Sequence, residues 1–166
     1  MIRVFDVSIS ILILVIFSPI MVLISLLILV IDGRPVVYKQ FRVGYMGRQF
    51  IIFKFRTMSN VIFKDGNLRL TPLGKILRKT SLDELPQFIN VLNKDMSIVG
   101  PRPHMLLHTV EYSELINKYM VRQLVKPGIT GVAQVRGYRG ETKELEDMEG
   151  RVRLDVWYIE NWSLSL

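Results

Sequence analysis

The sequence predicts an α+β chain that is mostly helical, with an apolar N-terminal membrane segment, a small β-hairpin and further helices in a basic domain. Three observations carry this prediction. Residues 7–31 contain 25 positions without a charge. Two runs rich in Val, Ile, Phe and Tyr flank Tyr45-Met46-Gly47. Thr71-Pro72 and then Ser81 open helical patterns. A chain of 166 residues suits one domain with a small appendage and can bury a sizeable core. The absence of cysteine excludes disulfides, thiolate nucleophiles and Cys-based metal sites. His104 and His108 are the only histidines, which disfavours a His-rich metal site. Lys and Arg number 22 against 15 Asp and Glu, a net charge of +7. That balance favours an acidic partner: a phosphorylated ligand, an anionic membrane or nucleic acid.

The segment VSISILILVIFSPIMVLISLLILVI, at ~1.5 Å rise per residue, is long enough to reach across a bilayer. A signal peptide has a shorter apolar region, typically ~7–15 residues, and a small-residue cleavage site that is missing here. A buried soluble helix would have to be apolar all round. Ser18-Pro19 interrupts the run, and a proline there predicts a kink or break. Two readings follow: a kinked helix that spans the bilayer, or a re-entrant helix that enters and leaves by one face. Arg3 precedes the segment, whereas Arg34, Lys39, Arg42 and Arg48 follow it. Basic residues on both sides suit a hairpin in the cytoplasmic leaflet, and the heavier flank places the following domain in the cytoplasm. Arg3 stands at headgroup depth, where it could meet a lipid phosphate. The division expected is a membrane segment over 1–33 and a membrane-surface domain over 34–166.

Residues 34–80 carry eleven basic side chains with Asp65 as their only acidic partner. A solvated face against anionic lipid accounts for several of them. Nucleic acid is the weaker partner, because no recognised nucleic-acid motif is present. The runs RPVVYKQFRVG and RQFIIFKFRTM read as two strands joined by a turn. Strand alternation puts Phe50, Ile52, Lys54 and Arg56 on one face and Ile51, Phe53 and Phe55 on the other. Lys54 and Arg56 would then project together, as a two-pronged phosphate clamp or as an ordinary solvated edge.

In TPLGKILRKTSLDELPQFINVLNKD, Thr71 reads as a helix N-cap with Pro72 at the first helical position. Ser81 and Glu84 fit a Ser-x-x-Glu capping box. Capping, with Asp83 at the positive end of the dipole, would explain both carboxylates without chemistry. Other features point to a site. Arg78 and Lys79 lie just upstream and favour ionised carboxylates. Pro86 removes a backbone donor in the same stretch. Downstream, Pro101-Arg102-Pro103 presents an Arg on a rigid support, a good fork for phosphate oxygens. Carboxylates beside fixed cations suit metal-assisted phosphoryl transfer, and an ionised Asp can attack phosphorus directly.

The runs Lys54–Met58, Leu77–Leu92, Asp95–His104 and Lys126–Thr142, together with the apolar segment and its Ser18-Pro19, resemble the bacterial sugar transferases, the monotopic polyprenyl-phosphate phosphoglycosyl transferases. The likeness covers the whole chain. It implies a re-entrant helix-break-helix, with Ser18 and Pro19 at the break, and amphipathic interfacial helices around a cytosolic active site. It implies transfer of a phospho-sugar from a UDP-sugar to undecaprenyl phosphate with release of UMP, at the start of exopolysaccharide or O-antigen assembly. Asp83 would be the nucleophile of a covalent intermediate. Glu84 would be its partner and a ligand of Mg2+. Arg78, Arg102, Lys54 and Arg56 would lie near the phosphates. The Lys126–Thr142 run is similar to the subfamily that uses UDP-glucose or UDP-galactose. The implied location is the cytoplasmic face of the bacterial inner membrane, and a homodimer is left open.

Beyond Arg102, residues 105–125 read as a helix on the membrane or core, and Lys126–Gly131 as a Gly/Pro-punctuated loop. Gln134 and Arg136 are candidates for reading uridine or sugar. His104 and His108 stand at i, i+4, but packing or solvent explains them better than zinc. Glu141–Glu149 reads as a solvated acidic face, and Trp157, Tyr158 and Trp162 as an interfacial aromatic group. Family members continue past Asn161-Trp162-Ser163-Leu164 into another helical segment, which makes a truncated C-terminus one reading. Two alternatives stay open: an inactive membrane-associated scaffold, and a basic lipid- or nucleic-acid-binding module whose carboxylates only cap helices.

Overall fold

The structure, a computed structural model, describes residues 2–62, 68–140 and 144–163. Lys64 and Asp65 of the basic run, and Glu141 and Thr142 of the Lys126–Thr142 run, lie outside the described residues. The chain forms two compact units, residues 1–40 with 52–90 and residues 41–51 with 91–166.

In the first unit, helix α1 (Ile2–Leu27) continues into a π-turn over Ile28–Asp32. Its aliphatic side chains would face lipid, while the backbone satisfies its own hydrogen bonds. Pro19 lies inside α1 and the helix is assigned straight through it. The Ser18 hydroxyl donates to the Val15 carbonyl at 2.8 Å. The Ser18-Pro19 pair therefore does not end the helix. Only 11% of its most apolar window is buried, so it is not a core helix of the described residues. It is the one helix among the described residues long and apolar enough to cross a membrane.

The end of this helix is fastened. Arg56 is buried and donates to the carbonyls of Asp32 at 2.6 Å, Gly33 at 2.7 Å and Arg34 at 3.2 Å. Carbonyls left over at a helix C-terminus are natural partners for a guanidinium. The Thr71 hydroxyl adds a bond to the Asp32 carboxylate at 3.0 Å.

Strands β1 (Val37–Val43) and β2 (Gln49–Phe55) pair as the expected hairpin. A short 3-10 turn joins them at Tyr45–Gly47, with φ of 53° at Met46 and 73° at Gly47. Ile52 and Phe55 are both buried although they point to opposite faces, so β2 is covered on both sides near its end. Strands β3 (Met58–Ile62) and β4 (Leu68–Leu70) form an antiparallel pair that the sequence did not suggest.

Helix α2 (Pro72–Thr80) starts as predicted, with Thr71 Oγ1 accepting from Gly74 N at 2.9 Å. Its first turn rests on Thr57, whose carbonyl accepts from Thr71 N at 3.0 Å. A Cβ on Gly74 would overlap that same Thr57 carbonyl. Gly74→Ala is therefore expected to cost about 2 kcal/mol or more, because backbone rather than a side chain must yield. A thermal melt of the detergent-held protein checks this, and an unchanged midpoint would contradict it.

The serine half of the predicted capping box is not formed. Ser81 takes the left-handed conformation, φ 63°, and closes α2 with its N–H on the Arg78 carbonyl. Its side chain makes no cap bond to the 3-10 turn Leu82–Glu84. Helix α3 (Gln87–Leu92) follows, and Asn90 Oδ1 accepts from Phe53 N at 3.0 Å, tying α3 to β2.

In the second unit, β5 (Ser97–Val99) and β6 (Gly128–Thr130) pair in parallel, Ser97 with Gly128 and Val99 with Thr130. The loop predicted at Lys126–Gly131 thus contains a strand. Gly100 and Gly128 approach so closely that a Cβ on Gly128 would strike the Gly100 backbone. The helix expected over 105–125 is divided into α4 (Leu106–Leu115) and a 3-10 turn, Tyr119–Leu124. Extended Ile116 and left-handed Lys118, φ 61°, separate the two. Helices α5 (Val132–Val135) and α6 (Leu145–Asn161) complete the unit. Ile116, Tyr119, Met148, Val152 and Val156 form its core. Leu106, Leu107, Val110, Leu115, Met120 and Leu124 stay exposed, a surface suited to lipid. Trp157 and Trp162 are also exposed, but Tyr158 is buried and so leaves the predicted aromatic group.

A buried polar network holds this unit together. Arg122 Nε donates to Asp155 at 2.8 Å, and its NH2 donates to the Arg102 carbonyl at 2.8 Å. The Tyr119 hydroxyl lies 2.6 Å from His104 Nδ1. Burial and the neighbouring Arg122 and Arg151 hold the His104 imidazole well below the ordinary histidine pKa, so it is neutral at pH 7. His108 instead stacks near Tyr112, so the two histidines share no site. Asp155→Ala strands a buried guanidinium. It is expected to cost about 3–5 kcal/mol, lowering Tm by roughly 10 °C, which differential scanning fluorimetry would show.

Candidate active site

The first unit contains the predicted carboxylates and four of the predicted cations, Arg3, Lys54, Arg56 and Arg78. Left-handed Ser81 turns the chain out of α2, and the 3-10 turn that follows carries Asp83 and Glu84. Asp83 is 7% exposed. Burial raises its pKa above the ordinary aspartate value; Lys54 opposes the rise, adjacent Glu84 adds to it and Arg78 again opposes it. Lys54 lies on β2 and reaches the neighbouring carboxylate, with Nζ 2.7 Å from Glu84 Oε1. Both side chains are largely buried. Glu84 therefore meets a cation supplied by a strand. Arg78, on the last turn of α2, donates through Nε to Thr57 Oγ1 at 3.0 Å.

The arrangement is a buried carboxylate pair flanked by two cations that act on Asp83. A carboxylate that costs free energy to ionise, yet is held by adjacent positive charge, is a reactive oxygen nucleophile. The cations can also attract the phosphate that it would attack. No group of three or more His, Cys, Asp or Glu side chains that could hold a metal occurs among the described residues. Two adjacent carboxylates nonetheless fit magnesium, which is typically bound by one or two carboxylates with substrate phosphates and water.

The other predicted residues are distributed differently. Lys54 and Arg56 do not act as one clamp, because Arg56 is committed to the carbonyls at the end of α1. Arg3, Ser18 and Pro19 lie on α1. Arg102, Gln134 and Arg136 belong to the second unit. The Arg102 carbonyl is held by Arg122, Gln134 Nε2 donates to the Ile129 carbonyl at 3.1 Å, and Arg136 is exposed. Sequence reasoning missed Thr57 and Asn90. Thr57 stands inside the Lys54–Met58 run, and that was the available signal.

A family model described as bacterial sugar transferase matches residues 1–166. The chain belongs to that family. It is 46% identical over 171 residues to a protein of Klebsiella pneumoniae named UDP-glucose:undecaprenyl-phosphate glucose-1-phosphate transferase, covering 99% of this chain and 37% of that protein. A protein of the same name from Escherichia coli K12 is 47% identical over 167 residues, covering 96% of this chain and 36% of the relative. A third, from Xanthomonas campestris pv. campestris, is 48% identical over 158 residues, covering 89% and 32%. The chain spans about a third of the length of these relatives. Among the sugar transferases, then, it corresponds to a portion with both an apolar helix and the carboxylate pair.

Proposed function

We propose that this chain is a phosphoglycosyl transferase that moves a phospho-sugar from a UDP-sugar to undecaprenyl phosphate. One observation carries the reading: Asp83 is buried beside Glu84, under the charges of Lys54 and Arg78, in the unit that also contains the apolar helix. An Asp83 carboxylate oxygen attacks the phosphorus that bears the sugar. The bond from that phosphorus to the bridging oxygen breaks, and UMP leaves with the electron pair. A phosphate oxygen of undecaprenyl phosphate then attacks the same phosphorus. The aspartyl bond breaks, which frees the Asp83 carboxylate and forms undecaprenyl diphosphate-sugar. Two displacements let the soluble and lipid substrates use one site in turn.

Lys54 holds Glu84 in place and favours ionised Asp83. Arg78 orients the incoming phosphate. Glu84 would hold magnesium together with substrate phosphate oxygens, and the metal would neutralise the diphosphate and the departing UMP. The names of the relatives favour UDP-glucose as donor over UDP-galactose. The reading places the chain on the cytoplasmic face of the inner membrane, with α1 re-entrant so that the site meets the lipid phosphate at headgroup depth.

The test is UMP release from a panel of UDP-sugars by nanodisc-held protein with undecaprenyl phosphate and magnesium. Release with UDP-glucose supports the proposal. Folded, lipid-bound protein that releases no UMP with any donor would reject it in favour of a scaffold.

A further inference from the structure

Thr57 stands where three features of the first unit meet. Its carbonyl accepts from Thr71 N at 3.0 Å. The same carbonyl packs so tightly on Gly74 that a side chain there is excluded. Its hydroxyl accepts from Arg78 Nε at 3.0 Å. Thr57 is buried, so water competes poorly for that hydroxyl. Arg78 is exposed, and its guanidinium is anchored through this bond to Thr57.

A guanidinium is planar, and a bond at Nε restricts how that plane can turn. The two terminal NH2 groups then point away from Thr57 as a fork suited to two oxygens of one phosphate. Without the tether, the long Arg side chain would sample several rotamers and lose entropy on binding. The Thr57 backbone is fixed by α2, so the tether transmits a defined position and not a mobile one.

We infer that Thr57 is a positioning residue that sets the Arg78 guanidinium as a diphosphate fork beside Asp83. The inference rests on the transferase reading and deepens it, since it assigns Arg78 to the donor's diphosphate.

The experiment measures UDP affinity by isothermal titration, alongside UMP release, for detergent-held wild type, Thr57→Val, Thr57→Ser, Arg78→Ala and the Thr57→Val, Arg78→Ala double variant. Val keeps the shape and removes the hydroxyl, whereas Ser keeps it. Thr57→Val is expected to weaken UDP binding about tenfold, and Thr57→Ser to stay within about twofold of wild type. In the Arg78→Ala background, Thr57→Val is expected to add nothing, because its effect passes through Arg78. Wild-type affinity in Thr57→Val would overturn the inference, as would a full independent loss in the double variant. Wild type that binds UDP but releases no UMP would reject the transferase reading, while the tether is still decided by the UDP affinities.

Discussion

Asp83→Asn is expected to release no UMP above background, a loss of about a thousandfold or more, while the folded protein becomes no less stable. Asn has nearly the same shape as Asp and lacks the charge needed for attack. The stability half of the result follows from the environment of Asp83. Burial raises its pKa in the folded state above the ordinary value, against the opposition of Lys54 and Arg78. For such a group the stabilising contribution is fully present below the unfolded pKa and is lost as pH rises through the folded one. Ionised Asp83 thus lowers stability at neutral pH, and Asn removes that cost. Thermal melts in magnesium-free buffer should show the variant's Tm at or above that of wild type at pH 7. The difference should shrink as pH falls below the ordinary carboxylate range. A dead variant that also melts well below wild type would mean Asp83 is structural. An active variant would end its assignment as nucleophile.

Much of this site was legible because its parts are close in sequence. Arg78, Asp83 and Glu84 fall within one short stretch, and their types alone suggest phosphate chemistry. The α1 segment is legible from composition, the hairpin from its turn, and the start of α2 from Thr71-Pro72, whose cap bond is local. What failed was pairing across distance. Lys54 and Arg56 alternate in sequence as one strand face would, yet β2 ends at Phe55, Lys54 meets Glu84, 30 residues away, and Arg56 meets carbonyls 22 to 24 residues away. Strand periodicity states which side chains share a face but not what lies opposite. Three-residue strands such as β5 and β6 are too short to show a period at all. The network joining His104, Arg122 and Asp155 likewise links residues far apart in sequence. Ser81 shows a different failure. The Ser-x-x-Glu pattern predicts a cap only if Ser is extended, and here the end of α2 fixes it in the left-handed conformation. Glu84, three residues on, is paired with Lys54 of β2.

Lys54→Met is expected to lower turnover about a hundredfold or more and to destabilise the fold by about 2–3 kcal/mol. Methionine keeps much of the apolar stem, so the missing ammonium is what the change reports. Two effects act together. Glu84 loses the cation 2.7 Å away while its side chain remains largely buried, at 12% exposure. Asp83 loses the strongest influence that lowers its pKa. Its pKa therefore rises further, and a smaller fraction is ionised at neutral pH. Since attack needs the carboxylate, the acid limb of the kcat/KM profile should move to higher pH, and part of the lost rate should return in alkaline buffer. Lys54→Arg keeps the charge on a longer, wider group, so it should retain the acid limb while losing some rate through misfit. A phosphate clamp formed by Lys54 with Arg56 predicts another pattern: weaker donor binding, an unmoved acid limb and little change in stability. The pH profile and the melt together separate the two, because only a lysine bound to Glu84 moves both.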